Sequence, residues 1–180
     1  MPASQAPRIR FTFNPQKAVE AILWIIKRGE PNIYNILKIF YEADKYHLNK
    51  YTRPVTGDNY VAMQFGTVPS AIYDLTKNPP EKTGFTKHGN RLKADNGRTV
   101  YLGLFSKSDI EALEHGFVQY AGLGFKAVVQ KNHKENAWIK AVERTPKQAE
   151  VSPILFEDMI DSDKKWLVED LQELGHCISI

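Results

Sequence analysis

Along residues 33–48 the apolar side chains recur at Ile33, Ile36, Leu37, Phe40, Ala43 and Leu48, a spacing near 3.6 that an α-helix gathers onto one face. A heptad nearly closes two turns, so Asp44 falls beneath Leu37 and His47 beneath Phe40, on the side the helix must bury. An acid and an imidazole placed there need hydrogen-bond partners from elsewhere in the chain, because an unpaired buried polar group is strongly destabilising.

The next segment, Thr52-Arg53-Pro54-Val55-Thr56-Gly57-Asp58, supplies a guanidinium, hydroxyls and backbone amides that can reach back to the helix end. Asp44, His47, Arg53, Thr56 and Asp58 are therefore expected to form a structural polar network that pins the loop to the helix, with Arg53 or Thr56 as donors to Asp44. Contact of Asp44 and His47 with a ligand or partner remains the alternative. Lys38, Glu42 and Lys45 sit three and four apart opposite the stripe and read as a solvated ladder.

The run Leu37-Lys38-Ile39-Phe40-Tyr41-Glu42-Ala43-Asp44 is followed by His47-Leu48 and then by Tyr51-Thr52-Arg53-Pro54-Val55-Thr56-Gly57-Asp58. With Tyr60, Ala62 and Gly66-Thr67-Val68 it resembles the signature of the Panacea antitoxin domain, a family that includes SocA-like proteins and many phage-associated proteins. The N-terminal helix and the run His133-Lys134-Glu135-Asn136-Ala137-Trp138 extend the similarity over residues 12–145. Thr52 stands where the family usually has Gly, and Thr67 where it usually has Pro. The resemblance implies an antitoxin that binds a co-encoded toxin directly, and in SocA-like members an adaptor that presents the toxin to an ATP-dependent protease.

The residues themselves leave little room for catalysis. No Gly-x-Ser-x-Gly, phosphate loop or dinucleotide fingerprint occurs, and the five histidines include no His-x-x-x-His pair, so no catalytic residue, metal or cofactor is expected. Cys177 is the single cysteine, beside His176, which excludes an intramolecular disulfide and a cysteine-based zinc cluster. The longest apolar run, residues 21–26, is too short to span a bilayer, and no secretory leader is seen, so a cytoplasmic protein is expected.

Net charge is +3, but residues 150–180 carry eight acids against two lysines, leaving a basic body of +9 with an acidic tail of −6. The basic residues are scattered, including Arg8, Arg10, Lys87, Arg91, Lys93 and Arg98, which favours self-complementarity of body and tail over nucleic acid. A phage-encoded nucleic-acid-binding regulator, or a hydrolase using Asp44 and His47, is the competing reading.

The remaining elements point to a mainly α fold with a small β-hairpin, an α+β single domain whose helical core surrounds the residue 32–50 helix. Asn14 caps a first helix that Pro15 opens and Gly29 closes, with Trp24 off its stripe. Pro69 opens another helix, and Asp95-Asn96-Gly97 predicts a hairpin between residues 85–94 and 99–104. Ser108 and Glu111 have capping-box spacing for a helix over 109–121, followed by short helices over 125–131 and 135–142 with Trp138 and Ile139 inward. Residues 146–180 read as an acidic helical extension packed on the domain, one segment over 154–160 and a second carrying Trp166, Leu167, Leu171 and Leu174 and closed by Gly175. Arg53, Tyr60, Arg91, Phe156 and Trp166 are the candidate partner-binding residues, being aromatic or arginine side chains in the loop, hairpin and tail.

Overall fold

The computed structural model describes residues 8–29, 31–146 and 149–178, with side chains as far as Leu174. The side chains of His176 and Cys177 and the residues before Arg8 lie outside the described residues. The fold is mainly helical with small antiparallel sheets.

Helix α1 (Pro15–Gly29) begins where the Asn14 side chain accepts the Lys17 amide at 3.0 Å, and it buries Ala18, Ala21, Ile22, Leu23, Ile25 and Ile26. Trp24 meets Phe117 edge-to-face with centroids 6.2 Å apart, while the Arg28 guanidinium lies 4.5 Å over the indole. Helix α2 (Ile33–Tyr51) is capped by Asn32, whose side chain accepts the Asn35 amide at 3.0 Å. It ends at Thr52, which takes the left-handed conformation (φ 63°, ψ 12°) and returns its N–H to Leu48. That backbone explains the family's glycine at this position, since a β-branched residue is strained there.

Strands β1 (Tyr60–Met63) and β2 (Gly66–Pro69) form a hairpin turned at Gln64 and Phe65, and helix α3 (Ser70–Lys77) follows. Strands β3 (Phe85–His88) and β4 (Arg91–Ala94) form the second hairpin. Its turn is at Gly89-Asn90, not at Asn96-Gly97. Gly-Asn is itself a two-residue hairpin signal, and Gly89 adopts φ 63°. Asp95-Asn96-Gly97 does turn, with the Arg98 amide on the Asp95 carbonyl at 3.1 Å, but the chain beyond it is tied to α1 instead of pairing. Glu20 accepts the Tyr101 amide at 2.8 Å and an Arg98 ion pair, and residues 102–104 close into a 3₁₀ turn.

Helix α4 (Lys107–Tyr120) is capped by Ser106 and Asp109, two residues earlier than Ser108 and Glu111. It crosses α2 at close range: a Cβ on Gly116 would lie 2.4 Å from the Ile39 carbonyl oxygen. Helices α5 (Phe125–Asn132) and α6 (Asn136–Arg144) follow, and the half-buried Trp138 donates to the Met63 carbonyl at 3.0 Å. The main core lies among α1, α2 and α4.

The tail departs from the expected helix over 154–160. Strand β5 (Ser152–Ile154) pairs antiparallel with β1, giving the order β2-β1-β5, and only Phe156–Met159 forms a short helix, α7. Pro153 is tolerated because β5 is an edge strand. Helix α8 (Lys165–Ile178) continues through Gly175 rather than stopping there. Tail and body build a second core of Ile9, Tyr41, Leu48, Tyr60, Ala141, Ile154, Phe156, Met159 and Leu167. Charge supports this packing, with Asp158 on Arg144 at 2.6 Å and Glu157 accepting the Ile9 amide at 2.9 Å. No helix among the described residues is long and apolar enough to cross a membrane.

Candidate functional site

The polar residues around α2 divide into separate centres. Asp44 is fully buried; one carboxylate oxygen accepts the Val55 and Thr56 amides at 2.8 and 3.1 Å, the other the Thr56 and Tyr60 hydroxyls at 3.0 and 2.9 Å. Burial raises its pKa to about 6, and the four donors oppose the rise. Thr56 is thus a donor to Asp44, whereas Arg53 turns elsewhere.

His47 and Arg53 belong to a second centre built on Asp109, which is 1 % exposed and lies on α4. Asp109 accepts Lys17 Nζ at 2.7 Å, Arg53 Nη1 at 3.0 Å and the Ser106 amide at 2.8 Å, and these donors hold its pKa at about 2 despite burial. His47 Nδ1 sits 2.6 Å from the Arg53 carbonyl, which can only accept, so Nδ1 carries the proton and Nε2 accepts from Ser108 Oγ at 3.0 Å. Burial lowers the His47 pKa, in keeping with this neutral tautomer. Asp58 is a third, independent piece: its two oxygens accept the Ala71 and Ile72 amides at 3.1 and 2.8 Å and cap α3 from outside.

These centres are closed. The side chains of Asp44 and His47 have no exposed surface and touch different partners, so a hydrolytic pair has no open face. Among the described residues no group of three His, Cys, Asp or Glu side chains is placed to hold a metal ion.

The open site lies at the other end of α2. A groove of 320 Å³ runs between α2, the β1–β2 turn and α3, walled by Ile33, Leu37, Phe65, Val68 and Tyr73, with Lys38 lining it. Tyr34, Phe65 and Phe125 cluster at its edge with centroids 5.0, 5.4 and 6.2 Å apart, all edge-to-face. They remain 36 %, 38 % and 46 % exposed. Large aromatic side chains held against one another yet left open to water are suited to burial by a second molecule.

The expected solvated ladder of Lys38, Glu42 and Lys45 is not solvated: Glu42 and Lys45 are half-buried against His115 at 3.1 Å and Glu135 at 2.6 Å, and Lys38 departs furthest. It is 1 % exposed rather than solvated, because β2 and α5 cover the face of α2 opposite the main core. Among the described residues its amine makes one hydrogen bond, to the Thr67 carbonyl, and no ion pair; burial lowers its pKa to about 7. The Thr67 amide donates to Asn132 at 2.6 Å, a bond that a proline cannot make, while the buried Thr67 hydroxyl has no partner among the described residues. Gly66, at φ 107°, has no alternative here: a Cβ would lie 2.2 Å from Asn132 Oδ1 and 3.1 Å from Lys38 Nζ.

A model of the SocA-like antitoxin, Panacea domain family matches residues 36–139. The chain belongs to that family. No curated protein and no solved structure matches it. The match takes in most of α2, both hairpins, α4, α5 and the start of α6, and with them the Asp44 and Asp58 centres, the Asp109 centre apart from Lys17, and the groove apart from Ile33 and Tyr34. An antitoxin-like family points to action without catalysis and, in general, to a toxin as partner.

Of the candidate partner residues, Tyr60 and Phe156 are inside the Panacea fold and its tail, at 2 % and 6 % exposure. Tyr60 serves Asp44, and Phe156 packs edge-to-face on Phe11 at 4.8 Å. Arg53 and Arg91 are exposed, as is Trp166 at 56 %. They lie on separate elements, the loop after α2, strand β4 and helix α8. Tyr34, Phe65 and Phe125 carried no sequence signal beyond their aromatic character. Lys38 had one: four apolar neighbours, Ile36, Leu37, Ile39 and Phe40, pack the helix on most sides at that height.

Proposed function

We propose that the chain is the antitoxin of a toxin–antitoxin pair and neutralises its co-encoded toxin by direct contact centred on Tyr34, Phe65 and Phe125. The observation that carries this reading is the exposed aromatic cluster beside an apolar groove, whose Phe65 and Phe125 fall within the segment that matches an antitoxin family. Aromatic side chains already fixed by mutual contact lose little entropy on docking, which makes them frequent centres of binding energy. Arg53, Arg91 and Trp166 are proposed as contacts toward the margin of the partner.

Co-expression with the product of the adjacent gene tests this. The Panacea protein is expected to restore growth that the adjacent product arrests, and the two are expected to co-purify. Phe65→Ala and Phe125→Ala should each weaken the complex by about 1–4 kcal/mol while leaving the melting temperature near that of the parent protein. Rescue without a physical complex would overturn direct contact. Co-purification undiminished by both substitutions would move the docking face elsewhere.

A further inference from the structure

Lys38 is an incomplete arrangement. An ammonium has three donors, and burial in an apolar surround is tolerated when those donors find acceptors and the charge finds a counter-charge. Among the described residues Lys38 Nζ has the Thr67 carbonyl and no carboxylate, and its neighbours along the groove, Leu37, Met63, Phe65 and Val68, supply no acid. The other buried lysine among the described residues, Lys17, is by contrast seated on Asp109 at 2.7 Å.

We infer that the Lys38 ammonium, lining the groove beside Tyr34 and Phe65, receives a carboxylate that the partner protein carries next to an apolar side chain. This rests on the antitoxin reading above, and it specifies the chemistry of the partner's inserted segment. The walls select an apolar group, and the one charged side chain lining the groove selects an acid. Charge complementarity agrees at longer range, since residues 1–149 carry +9. The chain's own tail spends acids elsewhere, Glu157 on the Ile9 amide and Asp158 on Arg144. No described residue of the tail lines the groove, and the occupant assigned is therefore the partner protein.

The test uses the full chain and two small probes of one shape, 3-phenylpropionate and 3-phenylpropionamide, titrated by NMR while the Phe65 and Lys38 side-chain signals are followed. The carboxylate is expected to shift both signals and to bind about tenfold or more tightly than the amide, the discrimination of one charge-assisted hydrogen bond. Lys38→Met, which keeps the apolar stem, should bind both probes equally, and dispersed amide signals check that it is folded. Equal binding of the two probes by the parent protein overturns the inference, as does binding of neither, or a preference that survives in Lys38→Met. A dimer in sedimentation that Lys38→Met dissolves would make a second copy the occupant and overturn assignment to a partner. Each of these results is independent of growth rescue, so failure here leaves the antitoxin reading standing, and failed rescue leaves the probe result interpretable.

Discussion

Asp44 and Lys38 lie less than two turns apart on α2 and both are withdrawn from water, yet Asp44 accepts four hydrogen bonds and Lys38 donates one. Asp109, across the helix pair, resembles Asp44 in being saturated, with Lys17, Arg53 and Ser106 all directed at its oxygens. Saturated centres join elements distant in sequence: Asp44 ties α2 to the following loop, and Asp109 ties α4 to α1 and to Arg53. Their geometry is complete without any other molecule. The Lys38 end is built differently, with an apolar groove in place of a counter-charge and three exposed aromatic rings in place of a covering element. Within one domain, therefore, complete polar pairing marks the parts that hold the fold, and incomplete pairing beside open apolar surface marks the part suited to a partner.

The largest loss of stability is expected at Asp109. Asp109→Ala strands Lys17 and Arg53 near a buried site and is expected to cost about 3–5 kcal/mol in urea denaturation. Because the Asp109 pKa is depressed to about 2, its stabilisation is present above the unfolded value near 4 and is lost as pH falls from there toward 2. A cost under about 1 kcal/mol would show that the ion pairs do not anchor α4.

Asp44→Ala should follow at about 2–3 kcal/mol, since it leaves two amides and two hydroxyls without their acceptor. Its pH signature has the opposite sign: with the folded pKa raised to about 6, the parent protein loses stability as pH climbs from about 4 to 6. Toxin binding lost at an unchanged melting temperature would place Asp44 in the site and not in the scaffold.

Lys38 sharpens the contrast by being costly in its charged form. Its folded pKa of about 7 lies below the unfolded value near 10.4, so between these the unfolded chain binds more protons and stability rises with pH. The parent protein should gain about 3–4 kcal/mol from pH 7 to 10, and Lys38→Met should flatten that slope. A slope unchanged by Lys38→Met would mean that the amine is already satisfied.

The smallest effect is expected at Thr52. Its left-handed backbone at φ 63° strains a β-branched side chain, and Thr52→Gly should raise stability by about 1 kcal/mol without touching either centre. Destabilisation by Thr52→Gly would mean that the threonine side chain makes a compensating contact.

The features legible in the chain before folding are local in origin. The 3.6 spacing specifies α1 and α2, Asn14 and Asn32 specify where they begin, and the Panacea signature identifies the segment whose Asp44 folds back on Thr56. Helical periodicity tells which face meets the first neighbour, but it says nothing about whether a second neighbour covers the opposite face. That is why Lys38 read as solvated and Tyr60 and Phe156 as surface, when β2 and α5 bury the first and the joining of β5 and α7 to the body buries the others. The choice of Gly89-Asn90 over Asn96-Gly97, and of Ser106 over Ser108, was likewise between two competent local signals. It was decided by Glu20 on α1 in the first case and by Lys17 and Arg53 gathering on Asp109 in the second. The groove and its aromatic edge exist only in the assembled fold, because α2, the β1–β2 turn, α3 and α5 each contribute part of a surface that no single segment contains.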